Sequence, residues 1–346
     1  MNEQRRIFRA FTELGEFFRD FSTRETHEDE WSQRLQETIA LAKHKNGWFT
    51  KDNVEFALRS WGMLLTKNHL SNWLGRYDLR QNSPNTVAII MAGNIPLVGF
   101  HDLLSVVMTG NRALAKLSSN DDVLIGFIRD YLISIDPLLE DRIIFSQGRI
   151  QDFDAVIATG SNNTARYFEH YFGKVPNIIR KNRNSVAALT GKESPEQLEA
   201  LGEDIFRYYG LGCRSVSKLF VPRAYDFDTF FRSIYSYHPI GEQKKYANNY
   251  DYNKAVYLMS DFEILDNGFL VLKEDNSYAS PIASLFYETY DTLDQLKSRL
   301  QNDQVQLQCV VGEGILDDEI TFGETQKPSL TDYADGVDTV DFLLKN

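Results

Sequence analysis

Two cysteines in 346 residues leave no material for a disulfide framework, and a reducing cytoplasm is the expected setting. Positive charge is in deficit. Lys and Arg number 37 against 49 Asp and Glu, for a net charge of −12 and a pI of about 5.1, the reverse of a nucleic-acid binder's basic footprint. No apolar run is long enough to span a bilayer. The first residues, Met1 to Arg6, lead into charged amphipathic sequence rather than the apolar core of a secretion signal. Repeats and low-complexity tracts are missing, no metal site is expected, and the usual Gly-x-Gly-x-x-Gly dinucleotide fingerprint is not there.

What is present is enough hydrophobic residue for a substantial core, 42% of the chain. It comes in two kinds of pattern. Up to about residue 80 the period is helical: Ile7, Phe8, Phe11, Leu14 and Phe17-Phe18, then Trp31, Leu35, Ile39 and Leu41. Thr50 suits the cap of a third helix running to Leu65. At this spacing Phe17, Trp31 and Trp61 read as core. From Asn85 short apolar strands alternate with helices. Strands are expected over 86–91, 112–117, 142–146, 155–158 and 185–189, and helices over 97–108, 123–135, 161–172 and 196–209. Such alternation implies a mostly parallel sheet, an α/β nucleotide-binding type of domain. A second α/β unit follows, with strands over 216–221, 268–272, 282–287 and 304–311, helices over 227–235 and 292–300, and a terminal strand over 335–343. The expected division is a helical region 1–84, a cofactor domain 85–210, a catalytic domain 211–315 and a tail 316–346 that packs on the cofactor domain or a neighbouring subunit.

One junction draws chemical interest. Tyr208-Tyr209-Gly210-Leu211-Gly212-Cys213-Arg214-Ser215 lies between an expected helix and an expected strand, and its glycines allow a sharp turn. The turn presents the Cys213 thiol at an element end, with the hinge between the two units near Gly210 and Gly212 and a cleft in front of it. Arg214 and Lys218 bring positive charge, which favours the nucleophilic thiolate. The alternative is a buried structural cysteine. Three other stretches stand at strand ends. In Gly93-Asn94-Ile95-Pro96-Leu97, the Asn94 amide can donate to an oxyanion, or simply form a turn. Lys116 ends the second strand and can reach a ribose or phosphate, with small Ser118 and Ser119 after it leaving room for a 2′-phosphate; the alternative is a solvated surface lysine. Thr159-Gly160-Ser161 opens a helix whose N-terminal N–H groups form an anion site. Cys309, inside an apolar run, reads as core.

Together these stretches resemble the aldehyde dehydrogenase superfamily. Gly93 to Leu97 is similar to its Trp-Asn-Phe-Pro stretch, Lys116 to its cofactor-ribose lysine, Thr159-Gly160-Ser161 to its Gly-Ser turn, and Gly210 to Cys213 to its Gly-Gln-x-Cys nucleophile. Closer still is the acyl-CoA reductase family of the bacterial luminescence fatty-acid reductase, through Ile179-Arg180-Lys181-Asn182-Arg183-Asn184-Ser185-Val186-Ala187 and Asp332-Tyr333-Ala334-Asp335-Gly336-Val337-Asp338-Thr339. The resemblance implies an aldehyde dehydrogenase-like α/β fold of two parallel-sheet domains. It implies NADPH-dependent reduction of an acyl-CoA or acyl-protein thioester, fatty acyl in kind, to the aldehyde. Cys213 and Asn94 would be catalytic, and Lys116, Ser118, Gly160 and Ser161 would bind cofactor. An acyl-protein synthetase partner and a homo-oligomer are compatible with it. A short-chain CoA-acylating aldehyde dehydrogenase and a non-catalytic subunit of an acyl-transfer complex are the competing readings.

Two departures from the superfamily matter. Where hydrolytic members carry Glu-Leu-Gly-Gly-Lys, whose glutamate activates water, this chain has Arg180 to Asn184 and no carboxylate. Arginine stays protonated and cannot act as a base. Where they carry Glu-x-Phe-Gly-Pro, this chain has Ser277-Tyr278-Ala279-Ser280-Pro281, so the glutamate that holds the nicotinamide ribose is missing.

Overall fold

In the computed structural model, which describes residues 3–23, 26, 28–79 and 84–346, four helices precede the first strand. They are α1 (Glu3–Thr23), α2 (Glu30–Lys45), α3 (Lys51–Leu64) and α4 (Lys67–Leu74). α1 buries Ile7, Phe11, Leu14 and Phe18 along one face, each side chain contributing about 1.5–3 kcal/mol of burial. Thr50 caps α3 by accepting from the Asn53 N–H, as its position predicts.

The alternating segment follows: β1 (Thr86–Ile90), α5 (Phe100–Met108), β2 (Arg112–Lys116), α6 (Asp122–Ile135), α7 (Leu139–Arg142), β3 (Ile143–Phe145), β4 (Ala155–Thr159), α8 (Asn162–Phe172) and β5 (Asn177–Arg180). The five strands form one sheet in the order β3-β2-β1-β4-β5, parallel throughout. The order reverses between β1 and β4. That is the switch point at which parallel α/β sheets open a crevice beyond their C-terminal strand ends. Phe17 and Trp31 pack with Phe127 and Tyr131 of α6, the Phe17 and Tyr131 rings 4.4 Å apart; Phe127 is buried, while Phe17 and Trp31 are half-buried at the edge of the core rather than within it.

The second sheet has six strands. Its elements are β6 (Asn184–Ala188), α9 (Pro195–Phe206), β7 (Val216–Pro222), α10 (Phe227–Ser233), α11 (Lys244–Met259), β8 (Ile264–Asp266), β9 (Val271–Glu274), β10 (Ser284–Tyr290), α12 (Leu293–Asn302) and β11 (Leu307–Val311). The order is β11-β6-β7-β10-β9-β8, parallel except for the edge strand β8. Pro195 begins α9 behind a full capping box of Ser194 and Gln197.

By contacts the chain divides into two compact units, Met1–Lys181 with Ser329–Asn346, and Asn182–Pro328. The division thus falls at 181/182, where the sequence suggests 210/211. β6 is the reason: it pairs with β7 and β11, so it and α9 belong with the second sheet. Residues 335–343 are not the expected strand. The segment Thr339–Lys345 is a helix, α13, which Asp338 caps through the Asp341 N–H and which buries Thr339, Val340 and Leu343 at helical spacing. Several elements carry no clear sequence signal, the short α7 and β8 and, more consequentially, β5 and α11. β5 is only four residues long, and α11 has no separate apolar face: Tyr246 and Tyr257 are buried beside Asn253, while Tyr252, Val256 and Met259 are exposed. Among the described residues no helix is long and apolar enough to cross a membrane.

Candidate active site

In the first unit, three of the singled-out stretches meet at one edge of the sheet. The register aligns Ile90 with Lys116 on one side and with Ala158 on the other. The Asn94 turn after β1, Lys116 at the end of β2 and Gly160-Ser161 after β4 therefore all lie beyond C-terminal strand ends, beside the switch point. Lys116 is exposed and has no ion-pair partner among the described residues. Ser161 caps α8, its Oγ accepting from the Thr164 N–H at 3.2 Å. An exposed, unpaired ammonium and a helix N-terminus suit the phosphates and ribose of an anionic dinucleotide.

The turn after β1 is tied to the loop after β2. A Cβ at Gly93 would stand 2.5 Å from Ser118 Oγ, so only glycine allows this approach. Leu97 holds a left-handed φ of 60°, uncommon for a bulky side chain. Its N–H donates to Asp121 Oδ2 at 2.7 Å. Asp121 is buried, and its Oδ1 has no hydrogen-bond partner. Burial holds this carboxyl well above the usual carboxylate range, against the pull of the Leu97 N–H. No motif marked Asp121 in the sequence.

Cys213 belongs to the second unit and is exposed; Cys309, on β11, is buried. α9 ends at Phe206, and the turn is made by Tyr208, Tyr209 and Gly210 at φ 57°, 59° and 74°. Gly210 was expected to permit this; Gly212 takes no positive φ, and two tyrosines share the left-handed run instead. The chain then enters β7 at Val216. Ser185 of β6, fully buried, donates its Oγ to the Cys213 carbonyl at 2.9 Å. Ser217 donates to the Tyr278 carbonyl at 2.7 Å and so fastens the Ser277–Pro281 stretch to the same end of the sheet.

The two expected cations behave differently. Lys218 is fully buried on β7, its Nζ 2.6 Å from Glu288 and over the rings of Phe220 and Tyr278. Burial pulls its pKa down. Its charge is matched by Glu288, so the expectation that it serves the Cys213 thiol is corrected. Arg214 donates Nε to the Thr325 carbonyl at 2.5 Å and has no carboxylate partner among the described residues.

The two family-like stretches meet in the first unit. Arg180, the last residue of β5, pairs with Asp102 of α5 and donates Nη2 to Thr339 Oγ1 at 3.1 Å, and all three are buried. Tyr333 accepts from Trp73 Nε1 and shares a hydrogen bond with Tyr77, both at 2.7 Å; Tyr77 in turn donates to Asp338. Arg180 and Tyr333 are thus framework groups.

Comparison with known proteins bears on the family and the fold. Residues 18–232 match the model of a family described as acyl-CoA reductase (LuxC). No curated protein matches the sequence. Among solved structures, an indole-3-acetaldehyde dehydrogenase complexed with NAD+ superposes with a TM-score of 0.64 at 12% identity, over 93% of this chain and 78% of that one. The aldehyde dehydrogenase KauB from Pseudomonas aeruginosa gives 0.63 at 12% identity, over 93% and 78%. The Δ-pyrroline-5-carboxylate dehydrogenase from Mycobacterium tuberculosis gives 0.59 at 13%, over 90% and 67%. The fold is aldehyde dehydrogenase-like.

Proposed function

The chain belongs to the acyl-CoA reductase (LuxC) family, an oxidoreductase family that reduces acyl groups to aldehydes, and we propose that it does so with NADPH on a thioester, through an acyl group carried by Cys213. The observation that carries this reading is the exposed Cys213 thiol on a turn anchored to β6 through its own carbonyl. The thiolate attacks the thioester carbonyl carbon, a new C–S bond forms, and the carrier's C–S bond breaks to release its thiol. The Asn94 amide and the Cys213 N–H are the proposed donors to the oxygen as it gains charge. Lys116, Ser118 and the Gly160-Ser161 turn are the proposed cofactor contacts. That neighbours of the same fold are described as NAD+ complexes supports a nicotinamide dinucleotide. When bound, such a cofactor supplies the hydride that the acyl carbon needs. The Cys213–acyl bond then breaks, aldehyde leaves and the thiolate is restored.

The direct test is incubation with a panel of acyl-CoAs and either NADPH or NADH, with aldehyde detected. NADPH should be preferred by about tenfold in kcat/KM, the worth of one charge-assisted contact from Lys116 to a 2′-phosphate. Lys116→Ala should erase the preference. Equal use of NADH by the unaltered protein would remove Lys116 from this role.

A further expectation concerns water. From the end of β5 to the start of β6, Arg180 is engaged with Asp102, Lys181 with Glu169 and Arg183 with the Leu307 carbonyl. No carboxylate comes from this stretch to activate water. With aldehyde and NADP+ but no thiol acceptor, acid should form at least about a hundredfold more slowly than acyl-CoA forms when coenzyme A is supplied. Sustained turnover to acid would reveal another base.

A further inference from the structure

Asp204 sits on the apolar face of α9, between Leu201 and Ile205, and is fully buried. A carboxylate there needs donors to offset its desolvation, and it has three. Oδ2 accepts from the Gly323 N–H at 2.7 Å, and Oδ1 accepts from the Thr325 N–H at 2.9 Å and from Thr325 Oγ1 at 2.8 Å. The loop so pinned turns its next groups toward the nucleophile segment. The Thr325 carbonyl accepts from Arg214 Nε, and Gln326 Nε2 donates to Ser215 Oγ at 3.4 Å. Arg214 and Ser215 are the two residues after Cys213. Of the guanidinium's five N–H donors, one is used to fix the side chain, and the charge itself is unmatched by any carboxylate among the described residues.

We propose that Asp204 is a positioning residue: through the 323–326 loop it holds the Arg214 guanidinium beside Cys213 as a standing positive charge. The proposal rests on the reading of Cys213 as the acyl-accepting thiol. An arginine keeps its proton at any working pH, so this charge is constant. It favours negative charge wherever the reaction creates it at this turn: the attacking thiolate, the carbonyl oxygen after attack, and Cys213 sulfur as aldehyde leaves. A lone arginine on a free turn would give the same charge with no fixed position. The Asp204 loop removes that freedom before substrate arrives.

The test reads the charge near the thiol without relying on turnover. In the full chain, Cys213 is alkylated separately by neutral iodoacetamide and by anionic iodoacetate, with the modified residue located by peptide mapping. Loss of thiolate slows both reagents alike; loss of a neighbouring cation slows the anionic one more. The iodoacetate-to-iodoacetamide rate ratio should fall about fivefold in Arg214→Gln, the effect of one unit charge at close range in a solvated site. It should fall comparably in Asp204→Ala and no further in the double variant, since both act through one guanidinium. A folded Asp204→Ala protein with an unchanged ratio would overturn the proposal. If Asp204→Ala does not fold, Arg214→Gln decides, because an unchanged ratio there leaves no charge for Asp204 to position. Failure of the underlying reading looks different: Cys213→Ser would still make aldehyde.

Discussion

Cys213→Ser should lower aldehyde formation by about 10⁴-fold or more, the scale seen when a nucleophile is removed from a catalytic unit. A serine hydroxyl at its ordinary pKa is a poor nucleophile without a base, and the fixed charge of Arg214 is too small an aid to make up the difference. Incubation of the unaltered chain with an acyl-CoA and no reduced cofactor should leave one acyl group on the protein, released by hydroxylamine and mapped to Cys213. Cys309 serves as the internal control. It lies buried on β11, 5% exposed, paired in register with Ser185. Cys309→Ser should keep activity and lose only about 1 kcal/mol of stability for placing a hydroxyl in an apolar site. An acyl group found on Cys309, or full activity in Cys213→Ser, would end the acyl-cysteine mechanism.

Arg180→Met should destabilise the first unit by about 3–5 kcal/mol, because it strands the buried Asp102 carboxylate. Asp102 is 4% exposed and already has one oxygen, Oδ1, without a partner. Arg180 also reaches Thr339, so the same change loosens the hold on α13. The readout is urea unfolding, followed by hydrogen exchange in α5 and α13 to place the loss in the first unit. Asp102→Leu in the Arg180→Met background should restore much of the stability, since replacing both charges by apolar groups removes the stranded carboxylate. A single variant within about 1 kcal/mol of the parent would mean that water reaches the pair and that burial is not its governing feature.

Most strands and helices of the first unit are legible because they carry their own local pattern. Val87, Ala88 and Ile89 form a short, wholly buried run, as a central parallel strand requires, while Ile7, Phe11, Leu14 and Phe18 return every third or fourth residue. α13 was misread as a strand because its seven residues span under two turns, too few for the period to be distinct. α11 carries no helical period because polar residues such as Lys245, Asn249, Asp251 and Asn253 are mixed with its apolar ones around the whole helix. Among the proposed site groups, Cys213, Asn94, Lys116 and Ser161 stand beside turn-forming residues, which makes them visible in the sequence. Asp204 had one faint mark, a charge in the stripe Leu198, Leu201 and Ile205; Asp121 and Thr325 had none. Their roles consist of hydrogen bonds to backbone groups 24 and 121 positions away in sequence, and no local pattern records such a partner.

By itself the sequence determined the family, the alternation of elements and the chemistry available at each turn, since these depend on residue type and short spacing. Tertiary structure alone decided what each charge does. Lys218 and Arg214 are both cations within five positions of Cys213, and sequence treats them alike. The strand sends Lys218 inward, where desolvation makes Glu288 its partner; the turn leaves Arg214 outside the core, tied to a carbonyl rather than a carboxylate, with its charge intact. Arg180, in a stretch that resembles a catalytic one, became a structural ion pair because β5 ends beside α5 and α13. Coulomb energy depends on distance and on access to water, and the folded chain sets both.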